Sequence, residues 1–544
     1  MSNTNVSEYS PDILRALITP DDLRNLVAKR VKQCQARIQE TFAEISHFHS
    51  LHNSVSRVCQ LPFELLSIIF SYLQNGVGKN ADLIAASHVC KHWRAVAIGN
   101  PCLWSSFAVH HPDGVQQMLM RSQSTLLSLS QTRFVCLTAA EHLNKAAHRI
   151  RCLHINMPIP REIAAVLYLL DAPAPNLAEL HVKNTFVESP SSNDDDVTNA
   201  VHLLRPAFGG QVPSLRSLVL YDVSLGVVNP SSALVHLDIQ VKLIDLPSLT
   251  TLLETFRTCP NLETVSLTGQ CDEEAFVGVH SDTPKVPLHR LQSMDLTIYP
   301  QLSIINILTA IALPPQTKLC LVSPLDTIAS GFHFLPDYSP TQASSLLCLE
   351  GLRRLEVTWS LVHAQIRADH HLEDTFQPPA LDMRFVDSQE LIVPHPGLLG
   401  SWRFDASRIE VLVLACAVFN MIENYVPGPI SLWLNTLRNL PALRTLCAVT
   451  LHPHDTRHLL DALQSRSDGG DLLCPRLSAL EFVNVALHTP NLQNKLCGVL
   501  LARSSEQDGV GLERVELSNC RFVLPVALRT TLEQRGVEID MGED

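Results

Sequence analysis

Residues 61–73 read Leu61-Pro62-Phe63-Glu64-Leu65-Leu66-Ser67-Ile68-Ile69-Phe70-Ser71-Tyr72-Leu73. Pro62 is predicted at a first helical position, where its fixed φ and missing N–H do no harm. Leu65, Leu66, Ile69, Phe70 and Leu73 then recur at three- and four-residue steps, a helical stripe. Ile68 and Tyr72 lie off that stripe and widen the apolar surface. Leu83, Ala86, Val89, Cys90, Trp93, Val96 and Ala97 make a second stripe, stopped by Gly99-Asn100-Pro101 and followed by Cys102-Leu103-Trp104. The segment reads as short helices with more apolar surface than they can bury alone. Such a surplus predicts a partner surface.

The order Leu-Pro-x-Glu-Leu-Leu, Ile-Phe, Tyr-Leu, Val-Cys, Trp and Pro-x-Leu-Trp resembles the F-box, the module that docks a Skp-family adaptor in cullin–RING ubiquitin ligases. The resemblance implies an adaptor-binding face with its support at Leu61, Pro62, Leu65, Ile68, Ile69, Phe70, Val89, Cys90 and Trp93. Within that set it implies insertion residues at Leu61 and Pro62, whereas Phe70 and Trp93 partly hold the module together. The connection Gln74 to Asp82 departs from the family in being longer and richer in Gly and Asn.

Upstream, residues 1–20 read as a disordered tail. Residues 21–56 read as a long polar helix with a thin apolar seam at Val27, Val31, Cys34, Ile38, Ile45, Phe48 and Val55. Steps of three, four and seven suit a heptad. The favoured reading is packing within the chain or on a neighbouring helix, with self-association and an isolated helix as the others. Residues 57–108 are the F-box-like domain.

From 109 to 544 a phrase recurs whose shared core is L-x-x-L-x-L. It starts at Leu177, Leu215, Leu234, Leu262, Leu291, Leu352, Ile409, Leu443, Leu477 and Leu512. Each copy predicts a short strand with alternate residues inward, and helical stretches such as Leu249–Phe256 and Ile430–Leu440 lie between copies. This looks like an irregular leucine-rich-repeat solenoid, in which stacking hides faces that no single unit can bury. The long intervals after Leu291 and Leu352 predict degenerate copies or insertions. The consensus asparagine of regular repeats is mostly missing. The fold class is therefore α/β, helical at the amino end and solenoidal beyond it.

The 544 residues exceed one compact core at roughly 150 residues per domain, though a repeat array evades that count. A net charge of −13 argues against nucleic acid as a partner. Fifteen cysteines with no C-x-x-C pair give neither a zinc pattern nor a disulfide framework. No apolar run suits a signal peptide or a membrane span, so a cytoplasmic or nuclear protein is expected. Phosphate cradles, metalloprotease motifs and nucleophile elbows are absent from the sequence.

The acidic triplet Asp194–Asp196 lacks calcium-loop spacing. His363, His370 and His371 with Glu373 and Asp374 follow no ligand rule. Cys90 and Trp93 read as apolar filling, as do Trp104, Trp402 and Trp433. No enzyme, metal or cofactor is expected. The joined halves predict a substrate-recognition subunit of an SCF-type ligase, binding a Skp-family adaptor, a cullin complex and an unknown protein target. The alternative is a repeat scaffold for protein interaction with no ubiquitin role.

Overall fold

The computed structural model describes residues 19–73, 80–109, 112–132, 137–185, 201, 205–272, 284–324, 335–336, 345–360, 363–373, 377–386, 403–416, 429–466, 470–504, 511–522 and 524–542. Residues 1–18 of the expected tail, most of the connection from Gln74, the acidic triplet and Trp402 lie outside the described residues, whereas Thr19 and Pro20, also placed in the tail, begin a helix. Two compact units emerge, residues 1–108 with 116–129, and residues 109–115 with 130–544. No helix among the described residues is long and apolar enough to cross a membrane.

The first unit opens with a helix over Pro20–Ser54, begun by Pro20 and by the Thr19 hydroxyl, which accepts from the Asp22 N–H. Among the described residues it buries none of its own. A short turn over Val58–Gln60 leads to helices Phe63–Ser71, Ala81–Ser87 and Lys91–Gly99, then a 3₁₀ turn over Pro101–Trp104. The second sequence stripe is thus two helices. They part at His88–Cys90, where the Cys90 thiol accepts from the Trp93 N–H at 3.4 Å and starts the second.

The strands are β1 (Ser106–Ala108), β2 (Leu127–Gln131), β3 (Ile150–Met157), β4 (Glu179–Asn184), β5 (Ser217–Tyr221), β6 (His236–Gln240), β7 (Thr264–Gln270), β8 (Val286–Pro287), β9 (Ser293–Tyr299), β10 (Ile311–Ala312), β11 (Lys318–Pro324), β12 (Arg354–Trp359), β13 (His363–Asp369), β14 (Leu381–Val386), β15 (Val411–Cys416), β16 (Thr445–Val449), β17 (Ala479–Val483), β18 (Arg514–Ser518) and β19 (Glu538–Asp540). In the second unit they pair in parallel from β3 through β4, β5, β6, β7, β9 and β11 to β14. β13 is antiparallel to both its neighbours, β14 and β12. Parallel pairing resumes from β12 through β15, β16, β17 and β18 to β19.

All ten L-x-x-L-x-L phrases lie on this ladder, and register explains their composition. Leu180, Leu218, Leu237, Val265, Met294 and Leu319 stand opposite one another and are buried. Leu355, Leu412, Leu446, Leu480 and Val515 do the same farther along. Each added strand therefore continues an apolar column that the preceding one leaves open. Helices such as Leu249–Thr258, Ile430–Arg438, Pro453–Gln464 and Pro490–Arg503 bury one side each.

Within this core the guanidinium of Arg503 is buried. It donates to the carbonyls of Leu463 (2.8 Å), Leu473 (2.6 Å) and Cys474 (3.2 Å). Burial lowers its pKa, and those carbonyls replace the water it has lost.

Candidate functional site

In the first unit, Leu66 and Phe70 face inward with Leu83, Ala86, Val96, Ala97, Leu103 and Trp104, and Leu61, Leu73, Trp93 and Met118 pack around them. Trp104 donates its ring N–H to the Ala97 carbonyl at 2.6 Å and lies under the Arg121 guanidinium, 4.4 Å from the ring centre. The first contact ties the 3₁₀ turn to the helix before it, and the second ties it to Arg121 at the end of the later Pro112–Arg121 helix.

The rest of the apolar set faces outward. Leu65, Ile68, Ile69 and Val89 keep between 44 and 55 % of their surface exposed. Phe63 at the head of the Phe63–Ser71 helix and Tyr72 just past its end are exposed as well. The sequence stripe thus splits: Leu66 and Phe70 belong to the core, whereas Leu65 and Ile69 do not. Val89 likewise leaves the second stripe, because the break between the two helices turns it out. Pro62 caps the Phe63–Ser71 helix from just outside it, one residue before the expected first helical position.

Among the expected site residues, Leu61 is half-buried, and its carbonyl lies 3.2 Å from His92 Nε2. Pro62 is exposed. Cys90 is half-buried with its thiol 3.8 Å from that of Cys59. Trp93 is half-buried, and Phe70 wholly so, which removes Phe70 from any contact surface. Phe63, like Val58, Ile84 and Ile98, is an exposed apolar residue outside the expected set. Its signal was its place one residue after Pro62, at the head of the helix.

The second unit offers an open sheet face whose residues alternate with the buried columns. Its middle row runs, in register, His154, His181, Val219, Asp238, Ser266, Asp295, Cys320 and Asp382. It continues through Arg367, Glu356, Val413, Cys447, Glu481, Glu516 and Asp540. Carboxylates dominate it. Burial, reinforced by Asp238 and Asp382, raises the pKa of Asp295. Burial first and the neighbouring carboxylates second push the Cys320 thiol up to about 11 and the Cys447 thiol up to about 12. Neither cysteine is a thiolate nucleophile near neutral pH.

Side-chain ligand atoms of His154, Glu179 and His181 lie within 4.8 Å of one another. The two imidazoles stack with centres 4.3 Å apart and planes 3° apart. Lone pairs of stacked rings run side by side, so one ion at about 2.0–2.1 Å cannot lie in both ring planes. The trio is a stack, and a metal would require one ring to turn. Of the histidine cluster considered from sequence, His370 instead lies 3.3 Å from the Gly351 carbonyl through Nδ1.

A family model described as F-box-like matches residues 58–110. No curated protein matches the chain. The match covers the three short helices and the Pro101–Trp104 turn of the first unit. Residues 58–110 thus form an F-box-like domain, one whose leading helix turns two apolar residues inward and several outward.

Proposed function

We propose that the chain is the substrate-recognition subunit of an SCF-type cullin–RING ubiquitin ligase. The F-box-like domain docks a Skp-family adaptor, and the strand ladder, taken as an irregular leucine-rich-repeat solenoid, holds a target protein. The observation that carries this reading is the outward apolar face of Leu65, Ile68, Ile69 and Val89 inside the matched segment. An exposed apolar cluster of this kind is stable in water when a partner covers it. Leu61, Pro62 and Phe63 border that face, and Phe70, Cys90 and Trp93 support it from behind.

Such a subunit makes and breaks no bonds; it raises the effective concentration of target lysines beside the conjugating enzyme. The open sheet face supplies the target site. Along its middle row Asp382 is paired with Arg384, Glu356 with Arg367, and Glu481 and Glu516 with Arg514, while Asp238, Asp295 and Asp540 add carboxylates outside these ion pairs, which favours a target with a basic segment.

The experiment is co-purification of the full chain with a Skp-family adaptor, followed by identification of bound proteins after proteasome inhibition. The reading requires adaptor, cullin and at least one target whose abundance rises when this chain is removed. A chain that captures proteins but never the adaptor would instead be a plain repeat scaffold.

A further inference from the structure

The Pro20–Ser54 helix has 35 residues and buries none of them. Its seam is nonetheless ordered, apolar except at Thr41 and His52 and continued by Val55 at the helix's C-cap. Val27, Val31, Cys34, Ile38, Thr41, Ile45, Phe48, His52 and Val55 follow one another at alternating steps of four and three, the a and d positions of successive heptads. Val27, Val31, Ile38, Ile45 and Phe48 keep between 44 and 67 % of their surface exposed. A helix of this length gains most of its stability from packing one face. Few contacts along its own side chains substitute for that: Arg24 pairs with Asp21, while Glu40 and Glu44 are like charges one turn apart.

We infer that this face pairs with the same face of a second copy of the chain, as a parallel, in-register, two-stranded coiled coil. Two features select that occupant. Val31, Ile38 and Ile45 fill three successive a positions, with His52 at the next, and β-branched residues at a favour two parallel strands. In that register the flanking positions are compatible by charge. Arg37 falls beside Phe42 of the second copy, a cation against a ring face, and Glu44 falls beside His49 of the second copy. Arg30 meets Gln35, so no like charges face each other across the seam. Because the helix ends just before the matched segment, the pairing carries two F-box-like domains at one end of the coil. The inference stands apart from the ligase reading, since it needs neither adaptor nor target.

The exposed thiol of Cys34 gives the direct test, because a d position in a parallel dimer faces its own counterpart. Light scattering of the full chain at micromolar concentration is expected to give twice the 60.2 kDa chain mass. Ile38→Glu with Ile45→Glu is expected to give the single mass; the helix buries nothing, so this variant retains the rest of its fold. Mild oxidation is expected to cross-link the native chain and Cys102→Ser, and to leave Cys34→Ser uncross-linked. A native chain of single mass, or a double variant that remains dimeric, overturns the pairing. A dimer that Cys34 fails to cross-link overturns the parallel register.

Discussion

The ring of Trp93 meets that of Phe70 edge to face, with centres 5.3 Å apart and planes at 65°. This contact joins the Lys91–Gly99 helix to the Phe63–Ser71 helix behind the outward apolar face. Phe70 is wholly buried and Trp93 half-buried, so their truncations should differ. Phe70→Ala is expected to cost about 3–5 kcal/mol and Trp93→Ala about 2–3 kcal/mol. Hydrogen exchange of the amides from Leu66 to Phe70 reads both losses. Equal losses, or none for Phe70, would contradict the packing described.

Arg503 holds three carbonyls of the Leu463–Cys474 segment together from inside the core. Arg503→Met keeps much of the volume but removes the guanidinium donor from all three carbonyls, of which the Cys474 carbonyl keeps the Leu477 N–H at 3.1 Å. The expected cost is about 3 kcal/mol or more in the second unit, measured by urea unfolding. A change below about 1 kcal/mol would mean that these carbonyls find other donors.

Asn484 and Asn519 follow β17 and β18 at the same place in consecutive repeats, with φ of 55° and 53°. Asn519 Nδ2 donates to Asn484 Oδ1. The left-handed backbone and the amide bond both favour Asn here. Asn519→Ala should therefore lose about 1–2 kcal/mol, and Asn519→Gly, which keeps the backbone, should lose less. Thermal unfolding of the two variants checks the order, and an alanine variant as stable as the glycine one would refute it.

Burial is the leading cause that pushes the imidazoles of His154 and His181 below their ordinary value of 6.5, although Glu179 pulls the other way for both. A lowered folded pKa means that the unfolded chain takes up these protons first as pH falls. Stability is then fully present above 6.5 and is lost from there down to the lower folded values. His181→Gln should flatten this slope between pH 7.5 and 5, as read from urea midpoints. An unchanged slope would place the acid sensitivity elsewhere.

How much of this was legible in the sequence differs from element to element. The ladder was legible because each parallel strand presents two buried alternate residues after a leading Leu, and that pattern repeats. Two rungs escaped. In β3 the leading position is Ile150, and ahead of β11 it is Thr317, a buried residue whose hydroxyl donates to the Leu291 carbonyl at 3.0 Å. The antiparallel β13 could not be read, because strand direction depends on partners rather than on periodicity. The middle row of the open face needed register, which one-residue slips would scramble. In the F-box-like domain, Leu65 and Leu66 share one stripe, and only the second helix decides which of them turns inward. The Pro20–Ser54 seam announced a helix, but periodicity alone does not say what covers it.

The central claim is that the outward apolar face of residues 65–69, with Val89, binds an adaptor. Titration calorimetry of the full chain against a purified Skp-family adaptor tests it most directly. The account predicts binding by the native chain and at least ~30-fold weaker binding by Ile68→Asp with Ile69→Asp, a loss of ~2 kcal/mol or more. Hydrogen exchange at Leu66 and Phe70 should be unchanged in that variant, since neither substituted side chain is buried. No binding by the native chain, or equal binding by the two, would contradict it.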